Sequence, residues 1–213
     1  WNKKDETLHI LPHWNWEGRE GETTPVFVYT SYPCAELFVN GVSQGKRTFA
    51  EPEGQTPCLG EKAMKRFRLM WDEVTYQPGE LKVVAYDAEG QPVDEKTIHT
   101  AGKAAAIKLT PDRKIIKADG EDLCFINVSL TDKYGNPVPC DSRLVKVKVS
   151  GAGSFKAIAN GDPTCLESFQ QPQMHLFSGQ LTVIVQSGTE PGDIIVEVSG
   201  KGVRKASATL KTE

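Results

Sequence analysis

Long apolar runs are missing from this sequence. No stretch of about 18 apolar residues is present, and a helix needs roughly that length to cross a bilayer, so we predict no membrane span. The chain begins at Trp1, and no basic and apolar leader precedes the first strand-like segment. We therefore interpret it as part of a longer protein.

An excess of positive charge is also missing. The 25 lysines and arginines are outnumbered by 28 aspartates and glutamates, giving a formal net charge of -3, and the basic residues are spread along the chain. Binding of nucleic acid or of anionic lipid needs a concentrated basic surface. We therefore expect no nucleic-acid partner.

Cysteines are few, and their spacing is not that of a disulfide framework. The five cysteines are odd in number and include no CxxC pair, which weakly supports either a disulfide framework or a zinc site. At least one thiol is expected to be free. A pair such as Cys34 with Cys58 stays open, because the sequence does not contain the Cα separation that a disulfide requires.

Catalytic motifs are absent as well. The four histidines show no HExxH spacing, no GxSxG elbow occurs, and Gly151-Ala152-Gly153 fits neither a phosphate loop nor a dinucleotide fingerprint. The paired carboxylates of a glycoside hydrolase come from separate segments and have no recognisable spacing. We predict no catalytic residue, no metal and no cofactor in this chain.

The first half consists of short strand-like segments separated by turn residues. Residues 25–32 are rich in β-branched and aromatic side chains and predict a strand. Asn40-Gly41 favours a type I′ turn between residues 35–39 and 42–49. Alternation of apolar and polar residues predicts further strands at 67–71, 81–87 and 93–100. Residues 50–62 are predicted to form an irregular loop.

The second half also consists of short strand-like segments separated by turn residues, but its sequence does not repeat that of the first half. Residues 107–109 begin it, and apolar residues alternate with polar ones along several later segments, namely 124–130, 145–149, 181–185 and 194–198. No stretch of the chain holds helical periodicity for three turns. The sequence therefore predicts an all-β protein of two tandem immunoglobulin-like antiparallel β-sandwich domains, covering residues 1–101 and 102–213 and joined near the segment AGKAAA.

One aromatic cluster is a candidate binding site. His13, Trp14 and Trp16 place two indoles beside polar groups, a composition that can stack on a sugar ring and bond its hydroxyls. Packing is the competing interpretation and the stronger one, since large amphipathic aromatics are common at packed boundaries. Trp14 would then anchor the first domain.

Two polar segments resemble metal loops but favour turns. Asn160 to Pro163 and Asp132 to Asn136 are built from residues that favour turn geometry. The remaining oxygen ligands of a calcium loop are not arranged around either segment. We interpret both as turns.

Several segments of the sequence resemble those of a known protein family. LHILPHWNWEGREGETTPVFVYTSYPCAELFVNGVSQGKRTF resembles the module that follows the catalytic barrel in bacterial family-two glycoside hydrolases of the β-galactosidase type. ADGEDLCFINVSLTDKYGNPVP, GAGSFKAIANGDPT and FSGQLTVIV resemble the C-terminal immunoglobulin-like domain of the same enzymes. The resemblance covers essentially the whole chain.

The resemblance implies a non-catalytic role beside a catalytic barrel of the same parent chain. The acid/base and nucleophilic glutamates of the family belong to the barrel, so none is carried over to a residue here. It also implies export to the periplasm or the cell surface. Two alternatives stay open, an independent carbohydrate-binding module that binds oligosaccharide and an immunoglobulin-like spacer of a surface adhesin.

Overall fold

The computed structural model describes residues 5–49 and 68–213, and within them every regular element is a β-strand. Among these residues no helix has the length and apolarity needed to span a bilayer. The all-β prediction is confirmed. The predicted loop at 50–62, residue Phe67 of one predicted strand and Cys58 of the possible disulfide lie outside the described residues.

Contacts divide the chain into two compact units, Trp1–Thr100 and Ala101–Glu213. The seven described strands of the first unit are β1 (Leu8–Leu11), β2 (Val26–Thr30), β3 (Cys34–Val39), β4 (Val42–Thr48), β5 (Leu69–Trp71), β6 (Glu80–Tyr86) and β7 (Pro92–His99). They form two sheets with the orders β1-β2-β5 and β4-β3-β6-β7, and every pairing in them is antiparallel.

The β3–β4 hairpin has the predicted two-residue turn. Asn40 has a φ of 48° and Gly41 a φ of 80°, and positive φ at both central positions defines a type I′ turn. The Asn40 side chain also accepts a 2.7 Å hydrogen bond from the Glu80 backbone N–H. The turn is therefore tied to the start of β6 as well as to its own hairpin.

The inward faces of the two sheets share one core. Leu37, Leu81 and Val83 from one sheet and Val26 and Val28 from the other are fully buried and belong to the same apolar cluster. Period-two alternation along these strands places each buried residue on the same face. The first unit is thus a β-sandwich.

The second unit has nine strands: β8 (Ala106–Pro111), β9 (Ile115–Ile116), β10 (Leu123–Thr131), β11 (Leu144–Gly151), β12 (Gly153–Ala159), β13 (Gln173–His175), β14 (Gln180–Ser187), β15 (Gly192–Gly200) and β16 (Ala206–Thr212). They form sheets with the orders β12-β14-β10-β8 and β13-β11-β15-β16-β9. The pairing of β9 with β16 is parallel, whereas the other strand pairings of these two sheets are antiparallel.

The core of the second unit follows the predicted alternation. Cys124, Ile126 and Val128 on β10 and Val183 and Val185 on β14 are fully buried in one cluster that also includes residues of the facing sheet. Cys124 and Cys165 are free thiols, which confirms the expectation from the odd cysteine count. The predicted pair of β-sandwiches is confirmed as the fold class.

The seam AGKAAA leads directly into β8. The Gly102 N–H donates to a carboxylate oxygen of Asp132 at 3.0 Å, and the Ala105 N–H donates to the Thr131 carbonyl at 2.8 Å. The Arg204 N–H bonds back to the Ala105 carbonyl at 2.9 Å. Residues 102–105 are therefore hydrogen-bonded to the rest of the second unit.

Several strands gave no clear signal in the sequence. Strand β1 has a single buried residue, and β13 also has only one. Strand β12 has a register shift between Phe155 and Ala157, which breaks the period-two alternation. These segments become strands because neighbouring strands supply their hydrogen-bond partners.

Candidate functional site

The structure separates the two indoles of the aromatic cluster. Trp14 is 1% exposed, and its Nε1 donates to the Gln77 carbonyl at 2.9 Å. Its ring meets the ring of Tyr76 edge-on, with centroids 5.0 Å apart. Trp14 is placed for packing, and no face of its indole is open to a sugar.

His13 and Trp16 form a partly exposed stack. Their ring centroids are 4.4 Å apart with an interplanar angle of 25°, and the guanidinium carbon of Arg19 lies 5.3 Å from the Trp16 ring centroid. Burial lowers the pKa of His13, whose Nδ1 accepts a hydrogen bond from the Asn15 N–H. The imidazole on Trp16 is therefore neutral near pH 7, with its proton on Nε2. Carbohydrate binding by His13 and Trp16 stays a prediction.

Both polar segments are turns. In the first, Asp162 accepts hydrogen bonds of 2.8 Å from the N–H and the hydroxyl of Thr164, and Gly161 has a φ of 77°. In the second, the Asp132 N–H donates to the Asn136 carbonyl at 2.9 Å. Within 5–49 and 68–213 no group of three His, Cys, Asp or Glu residues is arranged to hold a metal ion.

A cavity beside the first of these turns was not predicted. It has a volume of about 430 Å³ and lies in the second unit, between the 160–172 loop and the end of β13. Its walls combine apolar and polar side chains, namely Ser142, Asn160, Asp162, Cys165, Leu166, Glu167, His175, Leu176 and Phe177. A volume of this order suits a small ligand. Its residues come from three separate segments, so no local sequence pattern could reveal it.

Glu167 organises the polar side of this cavity. Its Oε1 lies 3.1 Å from His175 Nδ1, and its Oε2 accepts a 3.0 Å hydrogen bond from the His175 backbone N–H. The Asn160 side-chain amide donates to the His175 carbonyl at 2.9 Å. These bonds fix the imidazole, whose Nε2 is left for another partner.

The described carboxyl groups with a resolved pKa shift all have a lowered pKa. A glycosidase acid needs a raised pKa. The backbone N–H of His175 is the largest cause that lowers the pKa of Glu167. Every other carboxyl with a resolved shift also has a lowered pKa, since hydrogen bonds outweigh burial; these are Asp112, Asp119, Asp132 and Asp141.

The fold and these sites define a pair of β-sandwich modules. Residues 107–209 match the family described as glycoside hydrolase family 2 C-terminal domain 5, and residues 21–94 match a domain of unknown function, DUF4982. The chain belongs to the C-terminal region of family-two glycoside hydrolases.

Individual relatives match along the whole chain. A β-galactosidase of Bacteroides ovatus is 36% identical over 100% of this chain, and a β-glucuronidase of Formosa agariphila is 25% identical over 99% of it. The chain spans 23% and 20% of the lengths of these two relatives.

Solved structures agree with the sequence relatives. A β-glycosidase from Bacteroides vulgatus superposes with a TM-score of 0.85 at 29% identity, over 100% of this chain and 25% of that one. A family-two member from Bacteroides cellulosilyticus gives a TM-score of 0.81 at 34% identity, over 95% of this chain and 24% of that one. Both likenesses extend through both units.

Proposed function

We propose that this chain forms the non-catalytic C-terminal β-sandwiches of a bacterial glycoside hydrolase of the β-galactosidase type. The two sandwiches pack beside the catalytic barrel of the parent chain and support its hydrolysis of O-glycosyl bonds. The observation that carries this proposal is the 36% identity over the full chain to a β-galactosidase of which the chain spans 23%.

The chemistry of the described carboxylates supports the assignment. Glycoside hydrolysis needs one carboxyl group that keeps its proton and a second that faces it across the sugar ring. Lowered pKa values keep Glu167 and Asp132 ionised near neutral pH, so neither supplies a proton. We assign bond cleavage to the remainder of the parent, because this chain spans only 23% of the β-galactosidase that it resembles.

The purified chain is expected to hydrolyse no aryl β-galactoside. The physical reason is that hydrolysis needs a carboxyl group that keeps its proton opposite a nucleophilic one, and we assign that pair to the remainder of the parent. The measurement is release of nitrophenol from p-nitrophenyl β-D-galactopyranoside, compared with the rate in buffer. Turnover that persists through repeated purification and co-elutes with the chain would contradict the proposal.

Export to the periplasm or the cell surface is part of the same proposal. It rests on the family resemblance, and fractionation of the source cells tests it. Recovery of the parent chain only in the cytosolic fraction would contradict it.

A further inference from the structure

The cavity in the second unit has an aromatic wall, the side chain of Phe177, whose backbone lies in a tight turn. Phe177 is 44% exposed and begins a tight turn in which Ser178 has a φ of 51° and Gly179 a φ of 73°. A Cβ on Gly179 would clash with the Val138 carbonyl oxygen, so the turn packs directly on that segment. The Gly179 N–H also donates to the Asp141 carbonyl at 2.9 Å. The backbone that carries the Phe177 ring is therefore fixed.

Polar groups with unused bonding capacity surround this ring. Asp162 uses Oδ1 for both of its hydrogen bonds to Thr164, and its Oδ2 has no partner among the described residues. Ser142 also lines the cavity. His175 is held through Nδ1 by Glu167, which leaves Nε2 available. An apolar ring face beside several hydroxyl-binding groups is the composition that suits a pyranose.

The charge of the cavity selects among sugars. The hydrogen bond from the His175 N–H lowers the pKa of Glu167, so that carboxylate is charged at neutral pH. Asp162 adds a second carboxylate, and the lining residues include no lysine or arginine. A ligand with its own carboxylate would be repelled by these two carboxylates and would find no lysine or arginine in the lining to pair with.

We propose that this cavity is a binding site for a neutral pyranose, with the ring of Phe177 against one sugar face and the Asp162, Ser142 and His175 side chains bonded to hydroxyls. The choice of a sugar over other polyhydroxylated ligands rests on the proposed function. The site belongs to the second unit, whereas the His13–Trp16 stack belongs to the first, and the site binds uronic acids more weakly than neutral sugars.

The test is a titration of the full chain with methyl β-D-galactopyranoside and with methyl β-D-glucopyranosiduronate, followed by amide NMR shifts. We expect saturable shifts at residues that line the cavity, with a Kd on the order of 1 mM for the galactoside. The glucuronide is expected to bind at least tenfold more weakly. Absence of saturable shifts, shifts confined to the surroundings of Trp16, or equal affinity for the two sugars would overturn the proposal.

Matched variants separate the site from general effects on the fold. Phe177→Ala is expected to lower galactoside affinity about tenfold, whereas Phe125→Ala, which removes a ring of nearly equal exposure at 43%, leaves it unchanged. Asp162→Asn keeps the acceptor for Thr164 and is expected to narrow the preference for galactoside over glucuronide. An equal loss in both phenylalanine variants, or an unchanged preference in Asp162→Asn, counts against the site.

A hydrolysis assay on the same samples keeps the two proposals distinct. Absence of binding with absence of turnover removes the sugar site and leaves the non-catalytic role. Turnover of the nitrophenyl galactoside removes the non-catalytic role whether or not the NMR shifts saturate.

Discussion

Trp14→Ala is expected to unfold or loosen the first unit under conditions in which the native chain stays folded. The side chain is 1% exposed, and it bonds Gln77 through Nε1 and packs edge-on against Tyr76. Truncating a buried aromatic to alanine costs about 3–5 kcal/mol. Whole domains are stable by only about 5–15 kcal/mol, so the loss removes a large share of the stability of the unit.

Tryptophan fluorescence during urea denaturation measures this effect selectively. The four tryptophans are Trp1, Trp14, Trp16 and Trp71, and all lie within Trp1–Thr100. Their emission therefore reports on the first unit and is silent about the second.

Trp16→Ala is the matched control, because this indole is only partly buried and its Nε1 has no acceptor within the described residues. We expect the urea midpoint of Trp14→Ala to fall well below that of Trp16→Ala. Equal midpoints for the two variants would show that Trp14 is not the anchor of this core.

Asp132→Ala is expected to destabilise the second unit by about 3 kcal/mol, because a buried carboxylate that accepts four hydrogen bonds is lost. The carboxylate is 4% exposed and accepts hydrogen bonds from the backbone N–H groups of Gly102, Tyr134 and Asn136 and from the Asn136 side chain. Removing it leaves these donors without a partner. It also removes the hydrogen bond from Gly102, which is one of the bonds that hold the segment preceding β8.

The same carboxylate makes stability depend on pH. Burial alone would raise the pKa of Asp132, but the hydrogen bonds from Gly102 and Asn136 outweigh it and lower the pKa to about 2. An Asp with a lowered folded-state pKa stabilises the protein above its unfolded value and loses that contribution as pH falls toward the folded value. The contribution is about 2 kcal/mol and disappears between about pH 4 and about pH 2.

Hydrogen exchange of the β8 and β10 amides measures both effects in the second unit. Native chain is expected to lose protection across that pH window more steeply than Asp132→Ala. Asp119→Ala is the control, since this carboxylate also accepts two backbone hydrogen bonds, from Glu121 and Asp122, but is exposed to water that can replace it. Parallel pH profiles for native chain and Asp132→Ala would refute the role of Asp132.

Local signals were sufficient for many strands. The Asn40-Gly41 pair predicted its hairpin, because only a few residues tolerate positive φ at both turn positions. Alternation along 124–130 predicted the buried face of β10 for a similar reason, since successive side chains of a strand point to opposite sides. Both signals act over a few residues.

Signals that depend on distant partners were missed. The cavity combines Ser142, Asp162 and Phe177, whose positions in space follow from the pairing of β11 with β13 and from the turn after β13. Strand β9 is two residues long and exists because β16 supplies a parallel partner. Neither feature leaves a mark in the adjacent sequence.

The sequence by itself determined that this protein is all-β, with two sandwich-forming halves, because side-chain alternation and turn chemistry operate between near neighbours. The tertiary structure decided which aromatic residues are buried and which face solvent. Trp14 and Trp16 have the same composition around them, yet the indole of Trp14 is buried against a carbonyl 63 residues away while that of Trp16 stays partly exposed. Burial depends on which distant segments pack together, and local composition carries no information about that.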